Sequence, residues 1–262
     1  MEPVKRARVE DGAPAAAAAP RRPRIALIHG GCSNPFIFRK QLKHLLAALG
    51  ETVELVDVQG GLLSKEVRFD ERGLKNMALL HKVFGEDQVL REHAVTKYDS
   101  ASEERYPPLG AFMYDRLEEG VAQLEEQLRQ LEEPVDVLLG FSQGANMATI
   151  LASRAARGEA GAPPPFRGLV LLENDPPGWP AQLPALFSSK VPLPALLVGG
   201  ALESPKTDAV GELFAEPEHT RHAEGHRPLP KDAEACAEIV GQIQAFISRV
   251  TSDSGPAAAS GQ

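Results

Sequence analysis

The segment Gly140-Phe141-Ser142-Gln143-Gly144 constrains the fold more than any other part of this sequence. It follows an apolar run at residues 135–139 and precedes a helical pattern, so it joins a predicted strand to a predicted helix. A serine at so sharp a turn leaves no room for side chains two positions before and after it, a requirement that Gly140 and Gly144 meet. The pattern predicts a nucleophile elbow, in which Ser142 is held clear of a sheet at the start of a helix.

Short apolar runs alternate with longer amphipathic patterns along most of the chain. We predict strands at residues 24–29, 53–58, 135–141, 168–173, 195–199 and 218–222, and helices at residues 34–49, 117–131, 143–157 and 231–250. Strands that alternate with helices form βαβ units, so we predict an α/β fold with a mainly parallel central sheet and helices on both faces. Residues 59–113 interrupt the alternation, and we interpret them as a helical insertion or a lid.

The composition is typical of a soluble globular protein and excludes several functional classes. Of 262 residues, 43% are hydrophobic, which is enough for a core of domain size. The net charge of −8 argues against general nucleic-acid binding, and no apolar run is long enough for a membrane span or a secretory signal. Two cysteines, Cys32 and Cys236, cannot form a disulfide scaffold or a four-cysteine zinc site.

We predict one ordered domain over residues 24–250, flanked by disordered tails at residues 1–23 and 251–262. The tails are rich in Ala, Pro, Gly or Ser and have no apolar periodicity. The N-terminal part of the chain contains two basic clusters, Lys5-Arg6-Ala7-Arg8 within the first tail and Arg21-Arg22-Pro23-Arg24 at its end. Such clusters are either solvated or act as nuclear import signals, so the predicted location is the cytoplasm, with the nucleus as the alternative.

A serine hydroxyl needs a neighbouring base, and in folds with a nucleophile elbow the acid and the histidine follow the serine in the chain. His226 lies in a loop with Gly225 and Pro228, just before the last predicted helix. Such a loop can bring an imidazole over the edge of the sheet, so His226 is the predicted base. His222, at the end of the preceding strand, is the alternative.

Three carboxylates are candidates for the acid that orients this imidazole. Glu203 is favoured because it lies where the chain first turns away from the strand at residues 195–199. Asp208 follows five residues later and suits the N-cap of a helix that begins near residue 209. Asp175, at the end of the preceding strand, is the third candidate.

Acyl transfer also needs hydrogen-bond donors for the developing oxyanion. The loop His29-Gly30-Gly31-Cys32 follows the first strand, where a backbone amide can point into the site. The predicted donors are the N–H groups of Gly31 and Gln143, with Cys32 as the alternative to Gly31. Cys32 is a weak candidate for the nucleophile because no elbow surrounds it.

Three segments together resemble the FSH-type serine hydrolases. They are Ile28-His29-Gly30 with Asn34, Phe36 and Phe38; the elbow with Ala145; and His222-x-x-Gly225-His226. The similarity extends more distantly to acyl-protein thioesterases and small carboxylesterases. The resemblance covers about residues 24–250 and implies an α/β-hydrolase fold, esterase or thioesterase activity without a cofactor or metal, and Ser142, His226 and an acid after the strand at 195–199 as the triad. The family usually has an Asp in a Gly-x-x-Asp turn, where this chain has Glu203.

The predicted function is therefore that of a serine hydrolase that cleaves a small-molecule carboxylic ester or thioester through an acyl-enzyme. The alternative is a catalytically silent hydrolase fold that serves as a binding or scaffold protein. The intact elbow favours the enzyme, and the glutamate in the acid position favours the alternative.

Overall fold

The computed structural model describes residues 21–67, 71–99, 111–175, 177–201 and 204–252. The elements within these ranges follow in chain order as β1 (Arg24–Ile28), α1 (Pro35–Gln41), α2 (Lys43–Leu49), β2 (Glu54–Val58), β3 (Leu62–Leu63), α3 (Ser64–Val67), α4 (Glu71–Phe84), β4 (Arg91–Glu92), β5 (Val95–Asp99), β6 (Ala111–Asp115), α5 (Leu117–Arg129), β7 (Val137–Phe141), α6 (Gln143–Ala156), β8 (Gly168–Leu172), β9 (Ala195–Gly200), α7 (Ser204–Gly211), β10 (Pro217–His222) and α8 (Ala233–Thr251).

The described part of the chain forms a six-stranded parallel sheet with the spatial order β10-β9-β8-β7-β1-β2. This arrangement confirms the predicted α/β fold and its parallel central sheet. The strand order changes direction between β1 and β7, where Ile28 pairs in register with Gly140. In open parallel sheets, ligands bind at the carboxyl ends of the strands at such a switch point. The predicted elbow lies at this position.

Both faces of the sheet are covered because successive side chains of each strand point to opposite sides. On one face, Ile25 and Leu27 belong to a buried cluster with residues of α1, α2 and α8. On the other face, Ala26 and Ile28 belong to a cluster with residues of α5, α6 and α7. Apart from Arg24, the four inner strands β1, β7, β8 and β9 are apolar because neither of their faces contacts water, whereas the edge strands β2 and β10 contain exposed polar residues.

Two helix boundaries differ from the prediction. The helix predicted at residues 34–49 is divided at Leu42, whose ψ of 8° separates α1 from α2. Helix α7 begins at Ser204 rather than near residue 209, so the prediction that Asp208 caps it is wrong. A serine followed by Pro205 is itself a signal for the start of a helix, because proline lacks the N–H that the first turn leaves unpaired.

The segment predicted as a helical insertion, residues 59–113, contains strands as well as helices. Helices α3 and α4 lie between β3 and β4, which pair antiparallel, and β5 pairs antiparallel with β6 as far as Asp115. Residues 68–70 and 100–110 of this segment lie outside the described residues.

The described residues begin at Arg21, before the predicted domain boundary at residue 24. The Arg21 guanidinium donates hydrogen bonds of 2.8 Å to both carboxylate oxygens of Asp136. Arg24 forms an ion pair with Glu54 at 2.8 Å. Arg22 donates a hydrogen bond of 3.1 Å to the Glu51 carbonyl. The second predicted basic cluster is therefore bound to the domain at all three of its arginines.

The rest of the predicted tails, residues 1–20 and 253–262, lies outside the described residues, as does the cluster Lys5-Arg6-Ala7-Arg8. No helix in the described ranges combines the length and the apolar character needed to cross a bilayer.

Candidate active site

Ser142 occupies a strained backbone position between β7 and α6. Its φ of 55° and ψ of −121° are rare for a residue with a side chain, and they turn the chain sharply from strand to helix. A Cβ atom on Gly140 would overlap the carbonyl oxygen of Gly144 and lie 2.7 Å from Ala145 Cα. A Cβ atom on Gly144 would overlap the carbonyl oxygens of Ile28 and His29. Both predicted elbow glycines thus lie where a side chain has no space.

The structure brings Ser142 and His226 into contact. His226 Nε2 lies 2.9 Å from Ser142 Oγ, within hydrogen-bond distance. The imidazole comes from the loop between β10 and α8, and its ring centre lies 5.1 Å from that of Phe141. His222, the alternative base, is fully buried instead, with Nε2 3.2 Å from Glu173 Oε1. That separation is ion-pair distance, although the angles do not make a hydrogen bond.

The three candidate acids have different positions. Glu203 lies outside the described residues. Asp208 lies on α7, where it accepts a hydrogen bond of 2.6 Å from Arg221. Asp175 accepts a hydrogen bond of 3.0 Å from Ser142 Oγ, so it contacts the predicted nucleophile rather than the imidazole.

The loop after β1 presents one of the two predicted oxyanion donors. The N–H of Cys32 donates to Glu92 Oε1 at 2.8 Å, which removes Cys32 as the alternative donor. The N–H groups of Gly31 and Gln143 have no acceptor among the described residues. An amide without an internal acceptor, next to a nucleophile, can bind an oxyanion.

The Gln143 side chain, which the sequence does not single out, fastens the insertion to the elbow. Its Oε1 accepts hydrogen bonds from the backbone N–H of His93 at 2.7 Å and of Ala94 at 3.4 Å. Its Nε2 donates to the Ala94 carbonyl at 3.0 Å and to Thr96 Oγ1 at 3.1 Å. The residue that follows the nucleophile is thus bonded to the insertion, which is the segment that continues into β5.

Two buried histidines complete this junction. His29 Nε2 accepts the Gly60 N–H at 3.0 Å, and His93 Nε2 donates to the His29 carbonyl at 2.8 Å. Burial lowers the pKa of His29 well below its ordinary value and lowers the pKa of His93 to about 4. Both imidazoles are therefore neutral near pH 7, and they act as structural links rather than as bases.

The sequence analysis also did not predict a chain of hydrogen bonds that ends at Asp175. Asn174 Nδ2 donates to Asn146 Oδ1 at 3.0 Å, and Asn146 Nδ2 donates to the Tyr114 hydroxyl at 2.9 Å. The Tyr114 hydroxyl then donates to Asp175 Oδ2 at 3.3 Å. The available signal was a carboxylate at the end of the strand beside the nucleophile strand, although its partner could not be predicted from that position.

Within the described ranges, no group of three His, Cys, Asp or Glu side chains has the arrangement of a metal site. The polar groups of the site are instead a serine on an elbow, a facing imidazole and two amides without acceptors.

A parallel sheet that carries a strained serine elbow at its switch point, with a histidine from the loop before the last helix, defines an α/β-hydrolase. The family comparison is more specific. Residues 19–239 match the model of the serine hydrolase (FSH1) family, and the chain belongs to that family. The protein is thus a hydrolase by family, which confirms the resemblance seen in the sequence.

Solved structures agree with this fold at low sequence identity. An uncharacterized protein from Bacillus cereus matches with a TM-score of 0.53 and 12% identity over 92% of this chain and 63% of that one. Arabidopsis thaliana SOBER1, as the L63A variant, matches with a TM-score of 0.52 and 13% identity over 87% of this chain and 100% of that one. MenH from S. aureus matches with a TM-score of 0.51 and 11% identity over 90% and 97% of the two chains. A search of curated proteins gave no match.

Proposed function

We propose that this protein hydrolyses carboxylic esters or thioesters through an acyl-enzyme formed on Ser142. The observation that carries the proposal is the distance of 2.9 Å between Ser142 Oγ and His226 Nε2 at a strained elbow. Such a contact allows the imidazole to remove the hydroxyl proton as the oxygen attacks. Membership of a serine hydrolase family supports the same chemistry.

The reaction takes two matched steps. Ser142 Oγ bonds to the carbonyl carbon while its proton passes to His226 Nε2, and the carbonyl π electrons move to the oxygen. The tetrahedral intermediate collapses, the bond to the leaving oxygen or sulfur breaks, and His226 returns the proton to that leaving group. Water then repeats the sequence on the acyl-enzyme, and Ser142 recovers its proton.

The N–H groups of Gly31 and Gln143 stabilise the oxyanion in both steps. Both amides belong to segments that are fixed by neighbouring contacts, since the insertion is bonded to the loop after β1 and to the Gln143 side chain. Donors that are already oriented need no rearrangement when the negative charge develops, which is where their contribution to the rate comes from.

Glu203 supplies the carboxylate that orients His226 in this proposal. Its support comes from its position in the chain after β9 and from the contacts of its rivals. Asp208 is paired with Arg221, and Asp175 accepts a hydrogen bond from Ser142. Neither rival has a hydrogen bond to His226 in the described residues, so the loop after β9 remains the best source of the acid.

A fluorophosphonate probe tests the proposal, because it reacts covalently only with an activated serine. We expect the native protein to be labelled and to hydrolyse p-nitrophenyl butyrate, and Ser142→Ala to do neither while its thermal unfolding is nearly unchanged. Ser188→Ala, at an exposed serine, is the matched control and should be labelled like the native protein. Labelling of folded Ser142→Ala would refute the assignment, and a folded native protein without labelling or turnover would favour a silent binding protein.

A further inference from the structure

The chain after β8 is fixed so that Asp175 reaches the nucleophile. Glu173 has a φ of 48°, an unusual conformation for a residue with a side chain. Its N–H donates to the Val198 carbonyl at 2.8 Å, and its Oε1 accepts the Gly200 N–H at 2.5 Å. These bonds hold the turn against β9, and the position of Asp175 follows from it.

The Asp175 carboxylate is buried without a cation. Its exposed fraction is 9%, and no Lys, Arg or His among the described residues pairs with it. Its hydrogen bonds come from two neutral hydroxyls, those of Ser142 and Tyr114. Burying a carboxylate without a positive partner costs free energy. A cationic group that binds beside Ser142 would therefore be stabilised by Asp175.

A chain of hydrogen bonds behind Tyr114 fixes the orientation of this carboxylate. Each member of the chain donates toward Asp175, from Asn174 through Asn146 to Tyr114. The Tyr114 hydroxyl thus holds Asp175 Oδ2, while Oδ1 lies within hydrogen-bond distance of Ser142 Oγ.

Ser142 has one hydroxyl proton and two acceptors within reach. Asp175 Oδ1 lies 3.0 Å from Oγ, and His226 Nε2 lies 2.9 Å from it. When the hydroxyl donates to Asp175, it is turned away from the base. A second donor at Asp175 would satisfy the carboxylate and free the hydroxyl for His226.

We propose that Asp175 is a specificity-determining residue that binds the ammonium group of an aminoacyl ester or thioester. The inference rests on the proposed function, since it assumes that Ser142 attacks an acyl carbon. The further element is that the acyl group carries an α-amino group. Its ammonium forms an ion pair with the Asp175 carboxylate while the carbonyl carbon lies next to Ser142 Oγ.

The distances suit an α-amino group. An attacked carbonyl carbon lies about 3 Å from the nucleophilic oxygen, and an ammonium nitrogen lies about 2.8 Å from a carboxylate oxygen. Ser142 Oγ and Asp175 Oδ1 are themselves only 3.0 Å apart. These lengths allow the two substrate atoms to lie as close together as an α-amino nitrogen and its carbonyl carbon, which are about 2.5 Å apart.

The test compares two esters of nearly equal shape, L-alanine benzyl ester and benzyl isobutyrate, on the native protein and on Asp175→Asn. Asparagine keeps the size and an acceptor oxygen but removes the charge. We expect the native protein to prefer the aminoacyl ester in kcat/KM by about tenfold or more, and Asp175→Asn to bring the ratio of the two kcat/KM values close to one. Glu118→Gln, the same chemical change at an exposed carboxylate that pairs with Arg154, is the control and should retain the preference.

A second measurement does not depend on the folding of a variant. We expect L-alaninamide to protect the native protein from fluorophosphonate labelling at concentrations at which isobutyramide does not. Equal protection, or an equal kcat/KM for the two esters in the native protein, would overturn the inference while leaving the proposed hydrolase intact. Failure of the native protein to be labelled at all would instead count against the proposed function.

Discussion

Gln143 and His93, which are 50 positions apart, are joined by a hydrogen bond of 2.7 Å from the His93 N–H to Gln143 Oε1. The bond connects the residue that follows the nucleophile to the insertion between β2 and α5. Through this hydrogen bond the insertion helps to hold the candidate site in place. The first prediction concerns the Gln143 side chain.

Gln143→Leu should destabilise the protein and slow its reaction, although it leaves the backbone amide in place. The change removes the partner of the buried His93 and Ala94 N–H groups, and an unpaired buried donor costs about 1–3 kcal/mol. We expect the free energy of unfolding to fall by about 2–4 kcal/mol in chemical denaturation, with a lower kcat toward p-nitrophenyl butyrate. Gln130→Leu, at an exposed position, is the control and should change neither quantity appreciably.

The identity of the acid can be tested by three amide substitutions measured side by side. Glu203→Gln should lower kcat by about 10²–10⁴-fold, because the imidazole loses the group that orients it and stabilises its charged form. Asp208→Asn should leave kcat within about twofold, since this exposed carboxylate pairs with the exposed Arg221. Asp175→Asn should lower kcat toward benzyl isobutyrate less than Glu203→Gln does, because Asp175 has no hydrogen bond to His226 among the described residues. A larger loss in Asp208→Asn than in Glu203→Gln would reverse the assignment.

Stability should decrease as the pH falls from about 6.5 to 4. The folded state lowers the pKa of His93 to about 4, so over this range the unfolded chain binds a proton that the folded chain excludes. Above pH 6.5 this difference in proton binding is absent, and the loss of stability due to His93 reaches about 3 kcal/mol at the acid end. His29, whose pKa is also lowered, acts in the same direction.

His93→Gln tests this assignment through the free energy of unfolding measured by urea titration at several pH values. The variant should show a flatter dependence between pH 4 and 6.5 than the native protein. His44→Gln, at an exposed histidine, should follow the native curve. Parallel curves for native and His93→Gln would show that the acid sensitivity has another origin.

Gly144→Ala and Gly241→Ala form a matched pair of the same chemical change. At Gly144 the new methyl group would overlap the carbonyl oxygens of Ile28 and His29, so we expect a loss of about 3 kcal/mol or more together with the loss of fluorophosphonate labelling. At Gly241, an exposed position in α8, the methyl group has open space. That variant should gain about 0.5–1 kcal/mol in thermal or chemical unfolding, because alanine is the better helix former.

The inner strands β1, β7, β8 and β9 could be predicted because they are buried on both faces and therefore almost entirely apolar. Apolar spacing does not predict the break between α1 and α2, because the apolar side chain of Leu42 continues the helical spacing across it. It also fails within the insertion, where β5 and β6 are held together by pairing between distant residues rather than by any local pattern. Periodicity reports burial, and it does not report which partner a short strand will have.

The candidate site could likewise be predicted only in part from the sequence. The elbow could be predicted because the steric need for Gly140 and Gly144 is local to five residues. The contact between Ser142 and Asp175 could not, because it depends on the unusual φ of Glu173 and on bonds from that residue to β9. The role of Glu92, which accepts the Cys32 N–H, likewise arises only when the insertion folds back onto β1.

The bonds between the insertion and the loop after β1 limit how such an enzyme can be re-engineered or can diverge. Glu92 and Arg91 hold Cys32 and Ser33 from outside that loop, since the Cys32 N–H donates to Glu92 and the Arg91 and Ser33 backbones exchange hydrogen bonds of 2.8 and 3.2 Å. The insertion is therefore not an interchangeable module. A chimera that replaced it with the corresponding segment of another hydrolase would need to supply an acceptor for Cys32 and partners for Gln143. Without them, the graft would lose the orientation of the proposed oxyanion donors along with its original specificity.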